Sequence, residues 1–151
     1  MTKTFLLSLA ALVLLAIGVT GCNSRETKVS AKTDAPPTQP APNDGIARIS
    51  IPDARAAFNS GSAVIIDVRG EPAYKAGHIK GATMIAYADI AGKAAELPKD
   101  KTIILYCSCP AEHTSLLAAQ ALKAKGVENT AALVGGFPKW EAAGYPTEKS
   151  Q

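Results

Sequence analysis

Residues 101–125 read KTIILYCSCPAEHTSLLAAQALKAK, and their reading decides the fold. Ile103, Ile104 and Leu105 follow one another with no polar residue between them, as in a strand buried on both faces. The loop from Cys107 to Thr114 is polar and contains Pro110, so the strand stops at Tyr106. From Ser115 to Lys125 apolar residues return at helical spacing, with Leu117, Ala118, Ala121 and Leu122 as the inner face and Gly126 as the stop. A doubly buried strand, a short polar loop and an amphipathic helix form half of a βαβ unit, and such units build parallel sheets.

The same pattern extends to either side. Ala63 to Val68 contains Val64, Ile65 and Ile66 and predicts a second central strand. Upstream, Ala47 to Ser50 predicts a short strand. Ser50, Pro52 and Asp53 then look like a capped helix start running to Asn59, with Gly61 ending it. Between the two central strands we expect a short helix over Pro72 to Ala76 stopped by Gly77, a strand over Ala82 to Ile85, and a helix over Ala88 to Ala95. Thr130 to Val134 predicts another strand, Gly135 and Gly136 a sharp turn, and Pro138 to Ala143 a last helix. The fold class is α/β, a central and mostly parallel sheet with helices on both faces. Such sheets bind ligands beyond the carboxyl ends of their strands, the position of the Cys107 loop.

The 151 residues suit one modest domain, with 47% apolar and 19% charged residues and a net charge of +3. Basic and acidic residues are interspersed, which argues against a nucleic-acid partner. Lys3 precedes an uncharged, mainly apolar run from Phe5 to Val19. At ~1.5 Å per residue that run reaches about 22 Å, short of a ~30 Å hydrocarbon core, so it reads as a signal segment. The next residues, Val19-Thr20-Gly21-Cys22, resemble the lipobox of bacterial lipoproteins. The resemblance implies cleavage before Cys22, lipid on Cys22, and an exported domain held at a membrane, in the periplasm or otherwise outside the cytoplasmic membrane. Residues 1–21 are thus the expected signal peptide and 22–45 a lipid-anchored tether containing Pro36, Pro37, Pro40 and Pro42, with 46–148 as the folded domain. A monomer is expected.

With Cys22 committed to lipid, the remaining thiols are Cys107 and Cys109. In an oxidising compartment such a pair is either a disulfide or kept reduced by a partner. A loop that leads into a helix directs backbone N–H groups and the helix dipole at one point, which favours a thiolate, an oxyanion or a persulfide there. The cradle expected for a persulfide on Cys107 comprises Ser108, Cys109, Pro110, Ala111, Glu112 and His113.

Three sets of residues carry a family resemblance. Val64-Ile65-Ile66-Asp67-Val68-Arg69, with Glu71, Tyr74 and Gly77-His78-Ile79-Lys80-Gly81-Ala82, resembles the first rhodanese signature. Tyr106-Cys107 after an apolar strand resembles that family's nucleophile position. Leu133-Val134-Gly135-Gly136-Phe137, with Trp140, Gly144, Tyr145 and Pro146, resembles its C-terminal signature. The resemblance spans Ala47 to Pro146. It implies a rhodanese-like fold and a sulfurtransferase in which Cys107 carries a persulfide from a sulfur donor to a thiol acceptor, each a small molecule or a protein. Asp67, Arg69 and His78 are then structural supports, and no cofactor or resident metal is implied.

The loop departs from the family pattern. Single-domain rhodaneses place an arginine in this loop, whereas no Arg or Lys occurs from Cys107 to Leu122. Counting from Cys107 makes the loop two residues longer than usual; counting from Cys109 restores the length and makes Cys109 the alternative nucleophile, or else a resolving thiol. The Cys-x-Cys-Pro-x-Glu variant resembles a rhodanese subgroup found appended to membrane proteins. Without a loop guanidinium, and with Glu112 nearby, a neutral or bulky persulfide donor is expected over thiosulfate. Two other readings remain open: a redox or soft-metal module using Cys107, Cys109 and His113, and a non-catalytic binding domain.

Overall fold

The structure, a computed structural model, describes residues 44–150. The expected signal peptide, Cys22 and the tether as far as residue 43 lie outside the described residues. In chain order the elements are β1 (Ala47–Ile49), α1 (Ile51–Asn59), β2 (Ala63–Asp67), α2 (Glu71–Ala76), β3 (His78–Ile79), β4 (Thr83–Met84) and α3 (Tyr87–Ile90). They continue with β5 (Thr102–Tyr106), α4 (His113–Lys123), β6 (Thr130–Leu133), α5 (Gly136–Ala142) and β7 (Thr147–Glu148). Short 3-10 turns lie at Ala94–Glu96 and Pro110–Glu112.

Five strands form one parallel sheet in the order β1-β6-β5-β2-β4. Strands β2 and β5 contribute residues to the cores on both faces of the sheet, which is why their sequences are continuously apolar. Successive residues of β5 serve opposite faces. Ile103 and Leu105, with Ile66 and Val68, pack on Ile90 of α3 and on Ala118, Ala119 and Leu122 of α4. Ile104 and Tyr106, with Ile65 and Leu133, pack on Ile51 and Ala54 of α1 and on Trp140 of α5. Ile103, Ile104 and Leu105 are fully buried, and each contributes roughly 1.5–3 kcal/mol relative to an exposed position.

Helix α1 begins as its sequence predicts: Ser50 Oγ accepts from the Asp53 N–H at 3.3 Å and donates to the Asp53 carboxylate at 2.6 Å. Asp44 and Gly45, the end of the expected tether, take part in the fold. Asp44 accepts from the Ile46 N–H and pairs with Arg48 at 2.6 Å, and Lys123 donates to the Gly45 carbonyl. The hydrogen bonds from Arg48 and Ile46 hold the half-buried Asp44 carboxyl down at about 2.

Three elements differ from expectation. The buried face of α4 is Ser115, Ala118, Ala119 and Leu122, while Leu117 and Ala121 are only half-buried. Spacing alone left the phase of this alanine-rich helix open by about 100°. The helix expected over Ala88 to Ala95 is interrupted: α3 stops at Ile90 and a 3-10 turn resumes at Ala94, with Gly92 between them. Strands β3 and β7 pair antiparallel in a separate two-stranded sheet. Two residues are too few to show any periodicity.

Candidate active site

Strand β5 fixes the start of the site. Cys107 follows Tyr106 directly and is 2% exposed. Its carbonyl accepts from the Phe137 N–H at 2.9 Å. Gly136, at φ +53°, lies so close that a Cβ there would run into the Cys107 carbonyl oxygen. The glycine pair therefore holds the N-terminus of α5 against the backbone of Cys107.

The rest of the loop closes by a strained route. Ala111 and Glu112 both take left-handed conformations, at φ 52° and 56°, uncommon for residues with a Cβ. Glu112 is fastened at two points: its carboxylate accepts from the Gly135 N–H at 2.6 Å and its carbonyl from the Ser115 hydroxyl at 2.9 Å. This turn absorbs the extra loop length and leads into α4. The Glu112 carboxylate is thus tied to the backbone of the C-terminal glycine pair.

The two sulfurs lie 2.7 Å apart, between the ~2.05 Å of a disulfide bond and ordinary non-bonded contact. Both cysteines are free. Cys109 Sγ is also 3.0 Å from the Thr114 hydroxyl, and Cys107 Sγ is 3.9 Å from the Ser115 hydroxyl. Backbone N–H groups of Cys109 and Ser115 favour a thiolate on Cys107, and those of Thr114 and Cys109 favour one on Cys109. Burial nevertheless pushes the Cys107 thiol up, and its hydrogen bond to Cys109 adds to the shift. Burial acts the same way on Cys109 but is outweighed by the hydrogen bonds from Cys107 and Thr114, so Cys109 is the more acidic thiol. The lowered thiol is thus Cys109, the alternative of the two, two residues beyond the strand-end cysteine.

A cleft of about 550 Å³ opens over the sulfurs, lined by Val68, Arg69, Ala73, Ala86, Tyr87, Ala88, Cys107, Ser108, Cys109 and Thr114. Arg69 reaches it from the end of β2. Its guanidinium pairs with the fully buried Asp67 at 2.6 Å and donates to the Gly77 carbonyl at 2.6 Å and to the Ser108 hydroxyl at 3.1 Å. It also lies 4.4 Å from the centre of the Phe137 ring. Tyr106 donates its hydroxyl to Asp67 at 2.7 Å, and burial together with that bond pushes the Tyr106 pKa far up. Asp67 and Arg69 thereby tie β2, β5, Gly77 and the cysteine loop together. The Tyr87 N–H donates to the Val68 carbonyl, which sets the far wall of the cleft.

Of the expected cradle, Ser108 and Cys109 line the cleft with Cys107, whereas Pro110, Ala111, Glu112 and His113 do not. His113 stands exposed at the first turn of α4. Among the described residues no group of three His, Cys, Asp or Glu side chains gathers as a metal-ligand set. His78 is buried away from the cleft, its Nδ1 2.8 Å from the Tyr74 carbonyl and its ring stacked on Tyr74. Sequence reasoning missed Thr114 and the wall formed by Ala73, Ala86, Tyr87 and Ala88. It also missed the guanidinium in the cleft, because Arg69 lies 39 positions before Ser108.

A parallel α/β sheet with a cysteine at the end of its central strand and paired glycines behind it defines the rhodanese class. The profile of the rhodanese-like domain family matches residues 50–143, and the chain belongs to that family. It is 36% identical over 101 residues to thiosulfate sulfurtransferase GlpE of Pseudomonas fluorescens, covering 66% of this chain and 88% of the relative. It is 36% identical over 95 residues to thiosulfate sulfurtransferase GlpE of Pseudoalteromonas translucida, covering 63% and 89%. The solved rhodanese-like domain of the Anabaena Alr3790 protein superposes with a TM-score of 0.61 at 28% identity, covering 68% of this chain and 79% of that one. At the level of the family, this is a domain of the sulfurtransferase kind.

Proposed function

We propose that the chain transfers sulfane sulfur to a thiol acceptor in the cell envelope through a persulfide on Cys107. The observation that carries this reading is the position of Cys107 at the floor of the cleft. It sits at the end of β5, its backbone is pinned by Phe137, and backbone amides of the loop and of the first turn of α4 favour negative charge on its sulfur. Cys107 gives up its proton to solvent and attacks the outer sulfur of the donor. With an organic persulfide R–S–SH, the S–S bond breaks, RS⁻ leaves, and Cys107–S–SH remains.

The cleft supports a donor with an organic body. Its wall of Val68, Ala73, Ala86, Tyr87 and Ala88 suits apolar groups, and most Arg69 donors are already engaged. A lipid on Cys22 and the tether after it would keep this domain close to a membrane, with the cleft open to envelope thiols. Incubation with glutathione persulfide and a small thiol acceptor tests the reading. Turnover that Cys107→Ser abolishes supports it, and equal turnover in that variant overturns it.

A second reading follows from the acidity and half-exposure of Cys109, which suit it to attack first, with Cys107 as the partner thiol. Peptide mapping of the persulfide separates the two.

A further inference from the structure

We propose that the cysteine pair discharges its own persulfide: Cys109 attacks Cys107 Sγ, releases sulfide, and leaves a Cys107–Cys109 disulfide that an external dithiol must reduce. This rests on the reading of Cys107 as the sulfur carrier and extends it to the fate of the carried sulfur.

The sulfurs stand 2.7 Å apart, so they need close by only about 0.6 Å to reach the ~2.05 Å bond length. A Cys-x-Cys pair in an extended segment spans too far for this; here the loop turns between the two residues and brings the sulfurs together. Cys109 is also held in place, with the Thr114 hydroxyl 3.0 Å from its sulfur. The hydrogen bonds that lower the Cys109 thiol suit it to act as the second nucleophile. A persulfide on Cys107 would place its outer sulfur in the cleft and leave Sγ facing Cys109.

The step balances. Loading leaves Cys107–S–SH, and the departing RS⁻ takes the Cys109 proton and leaves as RSH. Cys109–S⁻ and Cys107–S–SH then become Cys107–S–S–Cys109 and HS⁻. The sulfane sulfur is reduced to sulfide and the two cysteine sulfurs are oxidised to a disulfide. An external dithiol then opens the disulfide by attack on one sulfur and closes into its own disulfide, restoring both thiols. A dithiol suits this task because its second attack is intramolecular.

The test is a single turnover of the reduced full chain, held in excess over glutathione persulfide. Wild type is expected to release one sulfide per donor consumed and to lose about 2 Da on forming the disulfide. Cys109→Ser, and Cys109→Ala as a second variant, are expected to keep a persulfide adduct of about 32 Da and release sulfide at least ~100-fold more slowly, because the neighbouring thiol is gone. If wild type keeps the adduct as long as the variants do, internal discharge is overturned while sulfur transfer through Cys107 stands. If none of the proteins takes up sulfur or releases sulfide, the underlying reading fails and the inference fails with it.

Discussion

Cys107 and Cys109 hold their sulfurs 2.7 Å apart and differ in acidity, the buried Cys107 thiol raised and the Cys109 thiol lowered. The two groups titrate as a pair, so loss of the first proton leaves a charge concentrated on Cys109. Reduced protein treated with iodoacetamide at pH 7 is expected to be alkylated first at Cys109. Labelling of Cys107 should rise only above the ordinary thiol range of about 8.5. In Thr114→Val, which removes one hydrogen bond to the Cys109 sulfur, labelling of Cys109 should shift to higher pH. Equal labelling of both cysteines at every pH would contradict the ordering.

Arg69 neutralises an Asp67 that has no exposed surface. Arg69→Met leaves that carboxylate buried with only the Tyr106 hydroxyl and the backbone N–H of residue 69 as partners. The expected cost is about 3 kcal/mol, typical of stripping one member from a buried ion pair, read as a lower midpoint in urea unfolding. Arg69→Lys is expected to recover only part of it, because an ammonium cannot reproduce the forked contacts to Asp67 and Gly77.

Gly136→Ala forces a Cβ onto the Cys107 carbonyl at a backbone angle of +53°. Either the cysteine loop or α5 must move. The variant is expected to lose more than about 2 kcal/mol and most of its sulfur transfer. Glu112→Ala, which leaves the Gly135 N–H without its carboxylate, is expected to cost a smaller ~1–2 kcal/mol. Glu112→Gln should retain most of the wild-type stability. Thermal unfolding of the three variants checks the order.

Tyr87 is the single exposed large hydrophobic residue among the described residues, at 42%, and it lies on the cleft wall. With an aromatic persulfide donor, Tyr87→Ala is expected to raise KM roughly tenfold, the loss of about 1.4 kcal/mol of apolar contact. With a small inorganic donor KM should barely change. Equal effects on both donors would count against a role in recognising the organic body.

The β2 and β5 strands are legible because each is buried on both faces, so three adjacent branched residues in each leave little alternative. The Cys107 position follows from where β5 must stop. The inner face of α4 was harder to read: alanines dominate it, and Ala119 and Ala121 look alike in sequence although the sheet buries one and not the other. Strands β3 and β7 exist through pairing with each other and carry no local pattern. In the site, the contributions of Arg69, Tyr87 and Gly135 come from distant parts of the chain. The contact between Glu112 and Gly135 spans 23 positions and gives a structural partner to a carboxylate that, within the loop alone, looks only repulsive to anions.

The central claim is that Cys107 carries sulfane sulfur, and intact-mass measurement with peptide mapping tests it most directly. Cys109→Ser exposed to glutathione persulfide, then freed of small molecules, is expected to gain about 32 Da, with the added sulfur on Cys107. An unmodified Cys107 in that variant, together with an adduct on Cys109 in Cys107→Ser, would contradict the account.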